Sequence, residues 1–202
     1  YDRAIPPGQA VTLLDSFLTS LSERGIWVVM VSGNHDSPER LSFGGSLLQK
    51  QGVYIAGIYQ ETLTKLLVKE EACTTQFVLL PFCKPAQAGA GTSEEMVRNF
   101  LTKYWEEEGK REDTVKTNHV LVTHFFVTNQ GKEPELTDGE TTIHVGGLDN
   151  VDVSLFRDFD YVALGHIHKP QQIGKYPVWY AGSPLKYSFG ESGQTKSALL
   201  VT

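Results

Sequence analysis

Ile26-Trp27-Val28-Val29-Met30-Val31-Ser32-Gly33-Asn34-His35-Asp36 is the stretch on which the fold turns. Its first six residues form an unbroken apolar run rich in β-branched side chains, the pattern of a strand buried on both faces in an α/β sheet. The run passes directly into a polar loop, and Ser37-Pro38-Glu39 then reads as a helix start with proline near its first position. The same arrangement recurs twice. Residues 119–122 form a second apolar strand that ends in Thr123-His124, and residues 161–164 form a third that ends in Gly165-His166-Ile167-His168. In open α/β sheets ligands bind at the carboxyl ends of the strands, so these three loops can converge on one site.

Working outward, residues 10–24 read as an amphipathic helix. Val11, Leu14, Leu18 and Leu21 recur at helical spacing, joined by Phe17, with Gly25 as terminator. Short strands are expected at residues 53–56, 66–69, 76–80, 177–181 and 197–201. Thr92-Ser93-Glu94-Glu95 opens a helix reaching about residue 107, capped by Ser93 or Thr92. Residues 106–116 read as a solvated helix end and loop, and residues 128–142 as a long polar loop. The sequence contains no repeat and no low-complexity tract. It is an α/β sequence whose polar functional residues follow directly after strands.

Its 202 residues suit one domain, 1–202. No stretch approaches the roughly eighteen apolar residues needed to span a bilayer, so no membrane partner is expected. Tyr1-Asp2-Arg3-Ala4-Ile5-Pro6-Pro7 resembles neither a signal nor a transit peptide. Cys73 and Cys83, the two cysteines, support neither a disulfide framework nor a zinc ribbon. Both are expected to be reduced thiols, which favours a cytoplasmic location. The formal net charge of −6 argues against a general electrostatic grip on nucleic acid. Bound divalent cations answer that objection by neutralising phosphate locally.

His35, His124, His166 and His168, with the amide of Asn34, make an N/O donor set that suits zinc, manganese or iron. In an extended segment His166 and His168 point the same way, but a turn at Gly165 lets them split between two ions. A lone histidine at a strand end is more often structural, and Gly-Asn-His-Asp alone can be only a turn. All three loops in this order, each after a buried strand, favour a site. His119 and His144 lack that context and read as structural.

These motifs, in this order, resemble those of the calcineurin-like metallophosphoesterases. Gly33-Asn34-His35-Asp36-Ser37, the segment from Tyr161 to Pro170, and Tyr180-Ala181-Gly182-Ser183-Pro184-Leu185, with Ser188, Phe189 and Glu191, are similar to the SbcD-type nuclease family. The resemblance implies a β-sandwich flanked by helices, two divalent ions (manganese above all), and hydrolysis of DNA phosphodiesters in break processing with an SbcC-type ATPase. It assigns Asn34, His124 and His166 to one metal and His168 to the other. His35 would contact phosphate and protonate the leaving oxygen, a role that suits imidazole near neutral pH. Asp2 would orient His35 through a hydrogen bond, and Asp36 would brace its loop.

The family pattern begins with an Asp-x-His motif and a Gly-Asp-x-x-Asp-Arg motif, of which only Tyr1-Asp2-Arg3 corresponds here. The first strand and the bridging aspartate are therefore expected to be absent, as are the capping and SbcC-binding regions. Without a bridging carboxylate two dications repel strongly, so this chain alone is expected to bind one ion weakly or none and to be inactive. Arg40, Lys169 and Lys186 lie near the motif loops and are candidates for DNA phosphate. Tyr187 and Phe189 fit base stacking but fit core packing better. A homodimer is expected, through the helix at residues 10–24 or the one after Pro38. Two alternatives stand beside the nuclease: a phosphoesterase acting on a small diester or phosphoprotein, and a non-catalytic scaffold.

Overall fold

The computed structural model describes residues 1–61, 64–71, 73–110, 116–137 and 149–202. Helix α1 (Gly8–Ser22) leads to strand β1 (Val28–Val31), helices α2 (Pro38–Ser42) and α3 (Gly45–Gln49), and strand β2 (Val53–Ala56). Strands β3 (Thr64–Lys69) and β4 (Thr74–Leu80) precede the long helix α4 (Ser93–Glu108). Strands β5 (Thr117–His124), β6 (Phe126–Thr128), β7 (Asn150–Asp152), β8 (Tyr161–Gly165), β9 (Gln171–Gln172) and β10 (Val178–Tyr180) follow. His144 and part of the loop at 128–142 lie outside the described residues, as does part of the segment 106–116.

The main sheet has six strands in the order β3-β4-β5-β8-β10-β9. Its four central strands run parallel, and β3 and β9 pair antiparallel at the two edges. Two parallel pairs, β1–β2 and β6–β7, stand beside it. This is the α/β class expected, a mixed sheet flanked by helices. The register matters for function. Leu80 lies opposite Thr123, and His124 opposite Gly165, so β4, β5 and β8 end at one level. β1 lies close to β4 and β5, and the Phe82 N–H donates to the Ser32 carbonyl at 3.0 Å. Three histidine-bearing loops are thereby gathered at one edge.

Helix α4 covers the sheet with Met96, Val97, Phe100, Leu101 and Tyr104, all buried at helical spacing. Thr92 caps it by accepting the Glu95 N–H at 3.1 Å, and Glu94 and Glu95 in its first turn suit the dipole. Below it, Gln76 Nε2 donates to the Tyr104 hydroxyl at 2.9 Å, which sits 2.5 Å from His119 Nδ1. His119 thus has the structural role expected of it.

Several local expectations need correction. In α1 only Leu18 is buried, while Val11 and Phe17 are 45% and 58% exposed. The helix packs on β1 of a two-stranded sheet, too narrow to cover its whole apolar stripe. For the same reason β1 is only half-buried, and Ile26 and Trp27 precede it as exposed residues. Residues 197–201 form no strand. β7 and β9 are too short to show a period in sequence. Cys73 and Cys83 are free thiols, the latter buried with its pKa pushed up to about 11 by that burial. No helix among the described residues is long and apolar enough to cross a membrane.

Candidate metal centre

The loop after β1 is held from both sides. Ser32 is fully buried; its hydroxyl donates to the Gly57 carbonyl at 2.6 Å and its N–H to the Ala56 carbonyl at 3.2 Å. Asp36 closes the turn by accepting the Gly33 N–H at 2.8 Å, the bracing role expected of it. Ser37 then caps α2. Between these anchors Asn34 reaches the end of β5, where its Oδ1 lies 3.0 Å from His124 Nε2. The His124 and His166 rings stand edge to face with centroids 5.2 Å apart. Phe82 and Phe126 wall them at 6.3 and 6.1 Å. Asn34, His124 and His166 are therefore brought together.

Two glycines make this possible. A Cβ on Gly33 would lie 2.6 Å from His124 Cε1, and one on Gly165 would lie 2.7 Å from His124 Nδ1. The imidazole rests against bare backbone from two neighbouring strand ends. His166 itself adopts φ +107°, a conformation that non-glycine residues rarely hold and that collects at functional sites. The backbone thus turns at His166, one residue after the expected Gly165 turn, and the His166 and His168 rings meet different neighbours.

Burial, first of all, holds the His124 pKa down to about 3, with further lowering from His166, His35 and the chain's amino end. His124 is consequently neutral, the state in which imidazole ligates a metal. A neutral imidazole, an amide oxygen and a second imidazole, seated in a cradle that any Cβ would fill, fit the donor chemistry of one divalent ion. Among the described residues no three His, Cys, Asp or Glu side chains converge as a complete cage. The fit is therefore to part of a centre.

His168 faces other neighbours. Its Nδ1 lies 3.1 Å from Glu191 Oε1, and its ring is 5.6 Å from that of Tyr187. His35 is exposed and close enough to act on His124 electrostatically. The expected Asp2–His35 bond is not formed. The Asp2 carboxylate is 86% exposed and meets Arg3 at 3.4 Å, while the amino group of neighbouring Tyr1 is the one tied to this loop, 2.5 Å from Asp36. Arg40 is exposed on α2. Lys169 pairs with Glu135, whose carboxyl pKa falls mainly through that hydrogen bond. Lys186 Nζ donates to the Ser192 carbonyl at 2.5 Å. Tyr187 and Phe189 are 64% and 100% exposed, which overturns the core-packing expectation for both. Glu191, read only as a family marker, is in fact 1% exposed, with its pKa lowered to about 2, first by the Lys196 hydrogen bond.

Fold and cluster together define an α/β protein with an asparagine–histidine centre at the carboxyl edge of a parallel sheet. No family model matches the chain. It is 32% identical over 200 residues to the SbcD subunit of the SbcCD nuclease from Staphylococcus epidermidis, an alignment covering 97% of this chain and 51% of that protein. It is 31% identical over 215 residues to the SbcD protein of Bacillus subtilis, covering 100% and 53%. The chain spans about half the length of the curated relatives it matches. Along that span it is similar to SbcD-type nuclease subunits.

Proposed function

We propose that this chain supplies the phosphodiester-cleaving site of a metal-dependent DNA exo- and endonuclease, acting with an SbcC-type ATPase in break processing. The observation that carries the reading is the convergence of Asn34, His124 and His166 on one strand-end cradle. In this reading those three side chains hold one divalent ion, manganese by preference, and His168 belongs to a second. Bound ions supply Lewis acidity and lower the pKa of water.

The chain's own residues then orient and shuttle. His35, exposed beside the cradle, contacts the phosphate. As a water oxygen bonds to phosphorus, releasing a proton to solvent, and the bond to the leaving sugar oxygen breaks, His35 gives that leaving oxygen its proton. Arg40, Lys169 and Lys186 steer the flanking phosphates, the two lysines by leaving their present partners. With three donors for one ion, a single histidine for the other and no bridging carboxylate, the chain by itself holds one ion weakly or none. The exposed apolar face of α1, including Val11 and Phe17, suits a homodimer, and a cytoplasmic setting suits the free thiols.

The test is manganese-dependent degradation of linear duplex DNA by the intact gene product, alongside a small chromogenic phosphodiester. His124→Ala should abolish DNA cleavage. Equal cleavage by wild type and His124→Ala, or activity on the small diester alone, refutes the proposal.

A further inference from the structure

Behind His168 lies a polar network that the proposed chemistry does not use. Glu191 sits in a short turn, and its carboxylate is 1% exposed. It accepts from Lys196 Nζ at 2.6 Å and from Ser188 Oγ at 3.3 Å, and Ser183 Oγ lies 3.5 Å away. The Lys196 ammonium is itself nearly buried and also donates to Ser183 Oγ and the His168 carbonyl, each at 2.9 Å. That same carbonyl accepts the Ser183 N–H at 3.1 Å. Gly182, at φ +81°, lets the loop close, for a Cβ there would lie 2.7 Å from the His168 carbonyl. The 182–196 loop therefore grips His168 at both backbone and ring.

Burying a carboxylate and an ammonium seldom yields net stability over an apolar packing of the same volume. A pair retained this way, with one hydrogen bond from each partner reaching the same histidine, points to a positional task. A carboxylate facing one imidazole nitrogen takes the N–H there and leaves the lone pair on the other nitrogen.

We propose that Glu191 is a positioning residue: it accepts the Nδ1–H of His168, fixing the ring's orientation and placing the lone pair on Nε2 as the donor to a divalent cation. Lys196 and Ser188 hold the carboxylate in place. This deepens the metal reading given above and rests on it for the cation, though not for the tautomer.

The test uses the intact gene product and two readouts. Long-range proton–nitrogen NMR of the His168 ring should show the Nδ1–H tautomer in wild type. The tautomer should be lost in Glu191→Ala, and kept in Glu191→Gln, whose amide oxygen still accepts. Manganese affinity, followed by electron paramagnetic resonance, should fall about 10–100-fold in Glu191→Ala, with partial recovery in Glu191→Gln. Lys196→Met paired with Glu191→Gln keeps the buried site neutral should the alanine variant unfold. An Nδ1–H tautomer that survives in Glu191→Ala overturns the positioning role, whatever the metal does. A tautomer that shifts as expected in a chain whose His168 does not respond to manganese overturns the metal reading of His168, and with it the task given to Glu191.

Discussion

Gly33→Ala is the substitution whose effect follows most directly from the structure. The new methyl would stand 2.6 Å from His124 Cε1 and 2.9 Å from both ring nitrogens. That is about 1 Å inside the ~3.5–4.0 Å optimum for non-bonded atoms. The ring cannot simply recede, because Gly165 already approaches Nδ1 from the neighbouring strand end and Phe82 stands beside it. It must instead give up its 3.0 Å contact with Asn34. Such overpacking costs about 1–3 kcal/mol. Gly33 has no positive φ, so alanine's stiffer unfolded chain should return about 0.4–1 kcal/mol. A net loss of about 1–2 kcal/mol remains. With His124→Ala in the background the methyl finds open space, and Gly33→Ala should become neutral or mildly stabilising. Urea unfolding of all four proteins, followed by circular dichroism, measures this coupling, expected at about 1–3 kcal/mol. Equal cost in both backgrounds would refute the view that Gly33 is there for the imidazole.

His166→Gly should be more stable than His166→Ala by about 1 kcal/mol or more, reversing the usual order, because φ +107° strains any residue with a Cβ; thermal melts compare the two. The pKa of His124 is depressed on folding from about 6.5 to about 3, so the unfolded chain takes up the extra proton first. Stability should therefore fall as pH drops through that window, by up to ~1.4 kcal/mol per pH unit from this group, and His124→Gln should flatten the slope in denaturant titrations. Tyr104→Phe removes one bond each from Gln76 and His119 and should cost about 1–2 kcal/mol. Far from the candidate centre, it should leave manganese binding unchanged, which calorimetry can check.

The parts legible in sequence were those where one local signal sufficed. The apolar runs into Gly33-Asn34-His35-Asp36, Thr123-His124 and Gly165-His166 announce strand ends, because a buried β-branched segment cannot continue into polar residues without leaving the sheet. α4 was equally plain, with a cap, acidic first turn and buried stripe in agreement. The misreadings share a cause: they required knowledge of what stands opposite. The stripe on α1 is a sound helical pattern, but amphipathicity does not say how wide a surface will cover it. Residues 197–201 have strand composition, yet they pair with no strand. Asp2 matches a motif, but its carboxylate meets Arg3. Glu191 was invisible as a buried acid, since one carboxylate in a Ser- and Gly-rich turn reads as solvated until Lys196 and His168 are seen around it.

The central parallel register explains why the chemistry gathers where it does. Parallel neighbours end on the same side, so β4, β5 and β8 deliver their next residues to one edge, whereas the antiparallel β3 and β9 deliver theirs elsewhere. Pairing His124 with Gly165 then puts an imidazole beside a residue without a side chain, and Gly33 clears its opposite flank. In regular extended geometry His166 and His168 would both follow on one face. The positive φ of His166 breaks that alternation, sending one ring to His124 and leaving the other to Glu191. A strained residue costs about 1–3 kcal/mol, and an unstrained strand end would have crowded both imidazoles on the same side. The strain at His166 is thus what gives the two histidines of a single tetrapeptide different neighbours. That is why its relief by glycine should raise stability while removing a donor that the proposed centre needs.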